Sequence, residues 1–167
     1  MTVLGIDPGT AACGFGIVVA GSDARATLVE CGVIRTTPSD PLPKRLLVIF
    51  EAVQELIERH RPDAVAIENV FLGQNTRTAL VLGHARGVIM VAAEGAAVPV
   101  AEITPAEVKR AVTGSGRATK DQVAAMVTRL LNLKSAPKPS DAADGVAIAL
   151  THLMRVAPRA RLGGSIS

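Results

Sequence analysis

The 167-residue chain has no tryptophan, no tyrosine and only three phenylalanines. So few rings leave the interior to aliphatic side chains, and an aromatic outside the core becomes conspicuous. Cysteine is nearly as scarce: Cys13 and Cys31 are the only two. They make neither a metal-ligand spacing nor a disulfide framework, which favours a reducing compartment, and both are expected to be buried. No uncharged run reaches the ~18 residues of a membrane helix. The N-terminus lacks a basic leader and already carries Asp7, so it does not read as a signal peptide. The expectation is a cytoplasmic protein without membrane contact.

A composition of 49% hydrophobic and 20% charged residues suits one globular domain over 1–157, followed by a small, basic, flexible tail over 158–167. The net charge of +3 is unevenly spread. Between residues 103 and 140 seven basic side chains face two acidic ones, while the rest of the chain has 11 basic and 13 acidic. A basic flank beside an acid-bearing remainder suits an enzyme that holds a polyanion and presents carboxylates to it. A solvated face fits the same numbers.

The apolar stretch 1–6 runs into Asp7-Pro8-Gly9, so Asp7 ends a strand, where open α/β sheets place their chemistry. On that stretch alone, an Asp before Pro-Gly is equally a turn former. Strands over 14–19 and 26–34 complete an antiparallel meander. Asp40-Pro41 reads as a cap and first-turn proline for a helix with Leu46, Phe50, Val53 and Ile57 on its buried stripe, stopped at Arg61-Pro62. Residues 64–68 form a short apolar strand that again ends in an acid, Glu68. Residues 76–93 are helix-competent and apolar nearly all round, with Gly83 and Gly87 one turn apart. Such a helix buries more than one face, against the sheet and either a second subunit or the rest of a monomer. A fifth strand over 98–103 and two capping boxes, Thr104-Pro105-Ala106-Glu107 and Thr119-Lys120-Asp121-Gln122, precede a last helix from Ser140 to about Val156. The sum is an α/β fold: a five-stranded mixed sheet flanked by helices.

Asp7 and Glu68 share a sheet edge if their strands are neighbours, and Asp141 and Asp144 are three apart at a helix start, on one face. Capping and dipole complementarity account for the last pair equally well. If the four converge, their mutual repulsion calls for cations, and hard Mg²⁺ is the usual occupant of an all-oxygen site. Two such ions roughly 4 Å apart can activate a water on one side of a phosphodiester and stabilise the leaving oxygen on the other.

The motifs Gly5-Ile6-Asp7-Pro8-Gly9-Thr10, Ala66-Ile67-Glu68-Asn69-Val70-Phe71, Leu82-Gly83-His84-Ala85-Arg86-Gly87 and the run from Asp141 to Ala149 resemble, in order, the bacterial RuvC family of Holliday-junction resolvases. The resemblance implies a ribonuclease H-like fold, a homodimer, and Mg²⁺-dependent paired nicking of four-way DNA junctions in recombination and repair, with Mn²⁺ as a possible substitute. It makes Asp7, Glu68, Asp141 and Asp144 the catalytic, metal-binding acids. Some members of the family carry histidine at the position of Asp141, so this chain keeps an all-acid set. The resemblance also implies DNA contacts from Phe71, Lys109 and Lys120, and the RuvA and RuvB branch-migration proteins as partners. Phe71 is the one ring expected to be exposed near the acids, where it can stack on bases opened at the junction or simply anchor its loop. Arg77, Arg86, Arg110 and Arg117 are weaker DNA candidates.

Three other readings compete. Actin-like and sugar-kinase ATPases use a similar Asp-x-Gly-Thr turn, but in two lobes, and only one copy is present here. Gly114-Ser115-Gly116-Arg117-Ala118-Thr119-Lys120 does not have P-loop spacing. A non-catalytic junction-binding module would more naturally lack an acid. A general ribonuclease H-like nuclease would have the same metal site and differ in substrate geometry.

Overall fold

The computed structural model describes residues 1–21, 25–69 and 76–156, without the side chains of 76–78. The expected tail at 158–167 lies outside them, as do Phe71 and the side chain of Arg77. Five strands form one sheet: β1 (Thr2–Asp7), β2 (Ala12–Ala20), β3 (Ala26–Arg35), β4 (Ala64–Glu68) and β5 (Val100–Ile103). Their order is β3-β2-β1-β4-β5; β1 to β3 are antiparallel and β1, β4 and β5 run parallel. The helices among the described residues are α1 (Leu42–His60), α2 (Thr76–Gly95), α3 (Pro105–Thr113), α4 (Lys120–Leu130) and α5 (Ser140–Val156). None is long and apolar enough to cross a membrane.

Strand alternation sorts the core into two layers. Leu4, Ile6, Phe15, Ile17, Val65 and Ile67 pack with Ile49 and Val53 of α1 and Ile89 of α2. Val3, Val18 and Ala66 pack on the opposite face with residues of α3, α4 and α5, among them Val108, Val127, Val146 and Leu153. Both expected capping boxes form.

Three local expectations change. Asp40 does not cap α1: Pro41 holds the cap position without a side-chain bond, and Asp40 Oδ1 accepts instead from Lys44 Nζ at 3.1 Å. Pro41 and Pro43 have no N–H, so the helix start offers fewer donors to satisfy. β5 begins at Val100 rather than 98, because Ala97 takes a positive φ of 55° and Pro99 has no amide proton to give the ladder. Cys13 is buried but Cys31, on the edge strand β3, is only half-buried.

Candidate active site

The period of two that builds the core also aims the acids. In β1, Val3 and Gly5 face α5, and Asp7 follows them to that side; in β4, Ala66 faces α5 and Glu68 follows it. β1 and β4 are parallel neighbours with Ile6 opposite Ile67, so the two acids end adjacent strands at one sheet edge. Helix α5 crosses β2 and β1 on the same face. Its first residues bring Asp141 and Asp144 to that edge. The approach is close. Gly14 pairs with Asp7 across β1 and β2, and a Cβ on Gly14 would overlap the Asp141 carbonyl oxygen. From the helix side, a Cβ on Gly145 would fall 2.6 Å from the Phe15 Cα.

The carboxylates feel one another. Asp7 is pushed up to about 7, first by burial, then by Glu68 and Asp144, with Lys120 pulling it down and Asp141 adding to the rise. Glu68 is also raised, by burial and then by Asp144, while a hydrogen bond with Asp7 and the nearby Lys120 oppose the shift. Lys120 is the first residue of α4, placed there by the Thr119–Gln122 capping box, and its Nζ donates to Asp144 Oδ2 at 2.9 Å. That bond raises the lysine's own proton affinity. Among the described residues, no three His, Cys, Asp or Glu side chains are gathered tightly enough to hold an ion as they stand. The donor set nevertheless suits a hard divalent cation: all carboxylate oxygen, partly desolvated and self-repelling, with a lysine as the counter-charge within reach. The turn after Asp7 is held by Cys13, whose thiol donates to the Gly9 carbonyl at 2.7 Å and accepts from the Gly9 amide at 3.2 Å. Burial pushes that thiol up to about 11, so it serves as a structural group and not as a nucleophile.

The family model described as crossover junction endodeoxyribonuclease RuvC matches residues 3–152. A relative of that name from Parafrankia sp. is 52% identical over 97% of this chain and 91% of its own length. Another, from Salinispora arenicola, is 48% identical over 99% of this chain and 94% of its own length. The solved structure of Thermus thermophilus RuvC in complex with a Holliday junction substrate is 44% identical and superimposes with a TM-score of 0.87, covering 93% of this chain and 94% of that one. The chain belongs to the RuvC family. Its ribonuclease H-like fold is that of the family, whose members are metal-dependent nucleases.

Within this RuvC-family framework the basic candidates separate. Lys120 lies beside the acids. Lys109 is half-buried on α3 and Arg117 is exposed in the loop between α3 and α4, and neither makes an ion pair among the described residues. Arg86 does not behave as a free DNA-binding cation: its side chain is only 15% exposed and is paired with Glu102. The partners of Arg86 and the glycines under α5 went unassigned in the sequence. Glycines inside a strand pattern, as at Gly14 and Gly16, are the available signal of close backbone approach.

Lys120 lowers both raised carboxylates, so Lys120→Ala is expected to lift the titration of Asp7 and Glu68 further. Carboxyl carbon NMR shifts followed against pH in EDTA read this directly. An unmoved titration would remove Lys120 as their counter-ion.

Proposed function

We propose that this chain resolves four-way DNA junctions as a homodimeric endonuclease, hydrolysing one phosphodiester in each of two opposed strands. The observation that carries the reading is the meeting of Asp7, Glu68, Asp141 and Asp144, from three separate elements, at one sheet edge. These four residues are its catalytic acids and hold Mg²⁺, with Mn²⁺ able to substitute. Bound there, the cation supplies Lewis-acid charge for the phosphodiester and lowers the pKa of an attacking water. The carboxylates themselves repel a phosphate backbone. Lys120, at the rim of the acids, and the basic flank around it offset that repulsion and let the strand approach.

Phe71, Lys109, Lys120, Arg77 and Arg117 are assigned to the DNA. Phosphate contacts position DNA without recognising a junction, so selectivity rests on geometry. Two identical sites at fixed separation match two opposed strands of a two-fold symmetric junction. The dimer reading is supported by α2, which turns Leu80, Gly83, His84, Gly87 and Val91 outward. Beside α1 this face forms a shallow, mostly apolar cavity of about 510 Å³, and nothing lies within 4 Å of where a Cβ would stand at Gly83 or Gly87. Close helix approach by a second copy needs such a surface. RuvA and RuvB are the proposed partners, and the cytoplasm the proposed compartment.

Incubation with a mobile four-way junction and with linear duplex of the same sequence, in Mg²⁺ or EDTA, tests the reading. The expected result is paired symmetric nicks on the junction alone, lost in EDTA. Comparable cutting of the duplex would make the chain a general nuclease, and binding without cutting a non-catalytic module.

A further inference from the structure

We propose that Arg86 is a positioning residue for Glu68, acting through Asn69. The proposal rests on the reading of Glu68 as a metal-holding acid. Glu68 is the last residue of β4, and at Asn69 the chain leaves the sheet. Two bonds catch it there. The Asn69 amide donates to the Ile103 carbonyl at 2.7 Å, which ties it to the end of β5. The Asn69 side-chain oxygen accepts from Arg86 Nη1 at 3.0 Å, which ties it to α2. Arg86 Nη2 donates in turn to Glu102 of β5, so one guanidinium spans a helix and two parallel strands. Its planar fork makes this possible: two donors leave in fixed directions, a geometry that lysine does not reproduce. The third donor, Nε, is buried without a partner among the described residues. An arginine serving only as surface charge would keep that group in water.

Glu68 is not among the groups whose charge Arg86 shifts, and the guanidinium works on it only through the residue next in the chain. The function assigned to it is orientation. With Asn69 pinned on both sides, the end of β4 stays in register with Asp7, and the Glu68 carboxylate stays where a cation shared with Asp7 and Asp144 needs an oxygen. Residues that orient metal ligands in this indirect way typically change metal affinity or activity by about 10–100-fold when removed.

Arg86→Lys, Asn69→Ala and Glu102→Gln are compared with wild type by two measurements: Mg²⁺ titration of the melting temperature without DNA, and Mg²⁺ dependence of junction cutting with separate determination of junction affinity in EDTA. Asn69→Ala and Arg86→Lys are expected to raise the Mg²⁺ half-saturation about 10-fold or more while junction affinity stays unchanged. Glu102→Gln keeps an acceptor oxygen and leaves Asn69 alone, so its half-saturation should stay within about twofold of wild type. A merely structural tie would lower the melting temperature of all three and leave the Mg²⁺ half-saturation unmoved, which would overturn the proposal. A wild-type protein with no Mg²⁺ response would overturn the metal reading of the site and this proposal with it. A wild-type response that Asn69→Ala and Arg86→Lys do not shift would overturn this proposal alone.

Discussion

Asp7→Asn is expected to abolish Mg²⁺-dependent junction cutting, by roughly 10³-fold or more, and at the same time to make the metal-free protein more stable. On the proposed role of Asp7, the first effect follows from removing one anionic ligand from a site whose chemistry would depend on several kcal/mol of charge stabilisation. The second follows from the repulsion that the site contains. Asp7 titrates near 7 in the folded protein, against an ordinary value of 3.8. Between those values the folded state holds a proton that the unfolded state has released, so the Asp7 contribution to stability falls as pH rises from about 4 to about 7 and stays lost above it. Asparagine does not suffer this loss. In EDTA at pH 8 the variant should therefore be more stable than wild type by roughly 1–4 kcal/mol, a melting point several degrees higher, with the gap closing towards pH 4. The titration of the buried His152, which Asp7 does not influence, acts equally on both proteins and cancels in the difference, whereas those of Glu68 and Lys120, which Asp7 shifts, contribute to it. A variant that melts lower than wild type at pH 8 would mean that Asp7 supports the fold, and loss of cutting would then say nothing about the chemistry. Added Mg²⁺ should stabilise wild type more than the variant.

Gly14→Ala, which leaves all four carboxylates in the chain, should be nearly as damaging to activity and much worse for stability. Its methyl would overlap the backbone carbonyl of Asp141 at the start of α5, where no side chain can rotate aside. Overpacking of this kind costs about 1–3 kcal/mol or more, and the helix can relieve it only by backing away from the sheet. That movement carries Asp141 and Asp144 away from Asp7 and Glu68. A fall in melting temperature of several degrees and loss of cutting with junction binding retained are the expected readings. Gly95→Ala is the control, because nothing lies within 4 Å of where its Cβ would stand. If Gly14→Ala melted and cut like wild type, α5 would not depend on contact at this point to place its acids.

The sequence carried most of the fold because its signals are local. The Pro8-Gly9 turn, the apolar runs at 1–6 and 64–68 that each end in an acid, and the two capping boxes each specify their own neighbourhood, and the structure follows them closely. The four acids were legible as strand ends and a helix start. Their shared side of the sheet follows from counting in twos from Val3 and Ala66 once those residues are seen to face α5. Long-range partners were less legible. Nothing near Arg86 in the chain announces Asn69 or Glu102, 17 and 16 residues away, so it read as one more basic candidate for DNA. Lys120 read as a phosphate contact, and only the three-dimensional arrangement shows its ammonium group against Asp144. Cys31 read as buried because the sequence does not say which strand lies at the sheet edge.

The helix that brings Asp141 and Asp144 follows every strand among the described residues. During synthesis, β1 to β5 have all been made before those two acids exist, and Asp7 and Glu68 wait on a sheet face that has not yet been covered. The segment that completes the set of carboxylates is also the one that closes the second core layer through Val146, Leu150 and Leu153. On the proposed chemistry, a ribosome-bound or truncated chain ending before this helix cannot nick DNA, and the power to cut arrives in the same event as the finished fold.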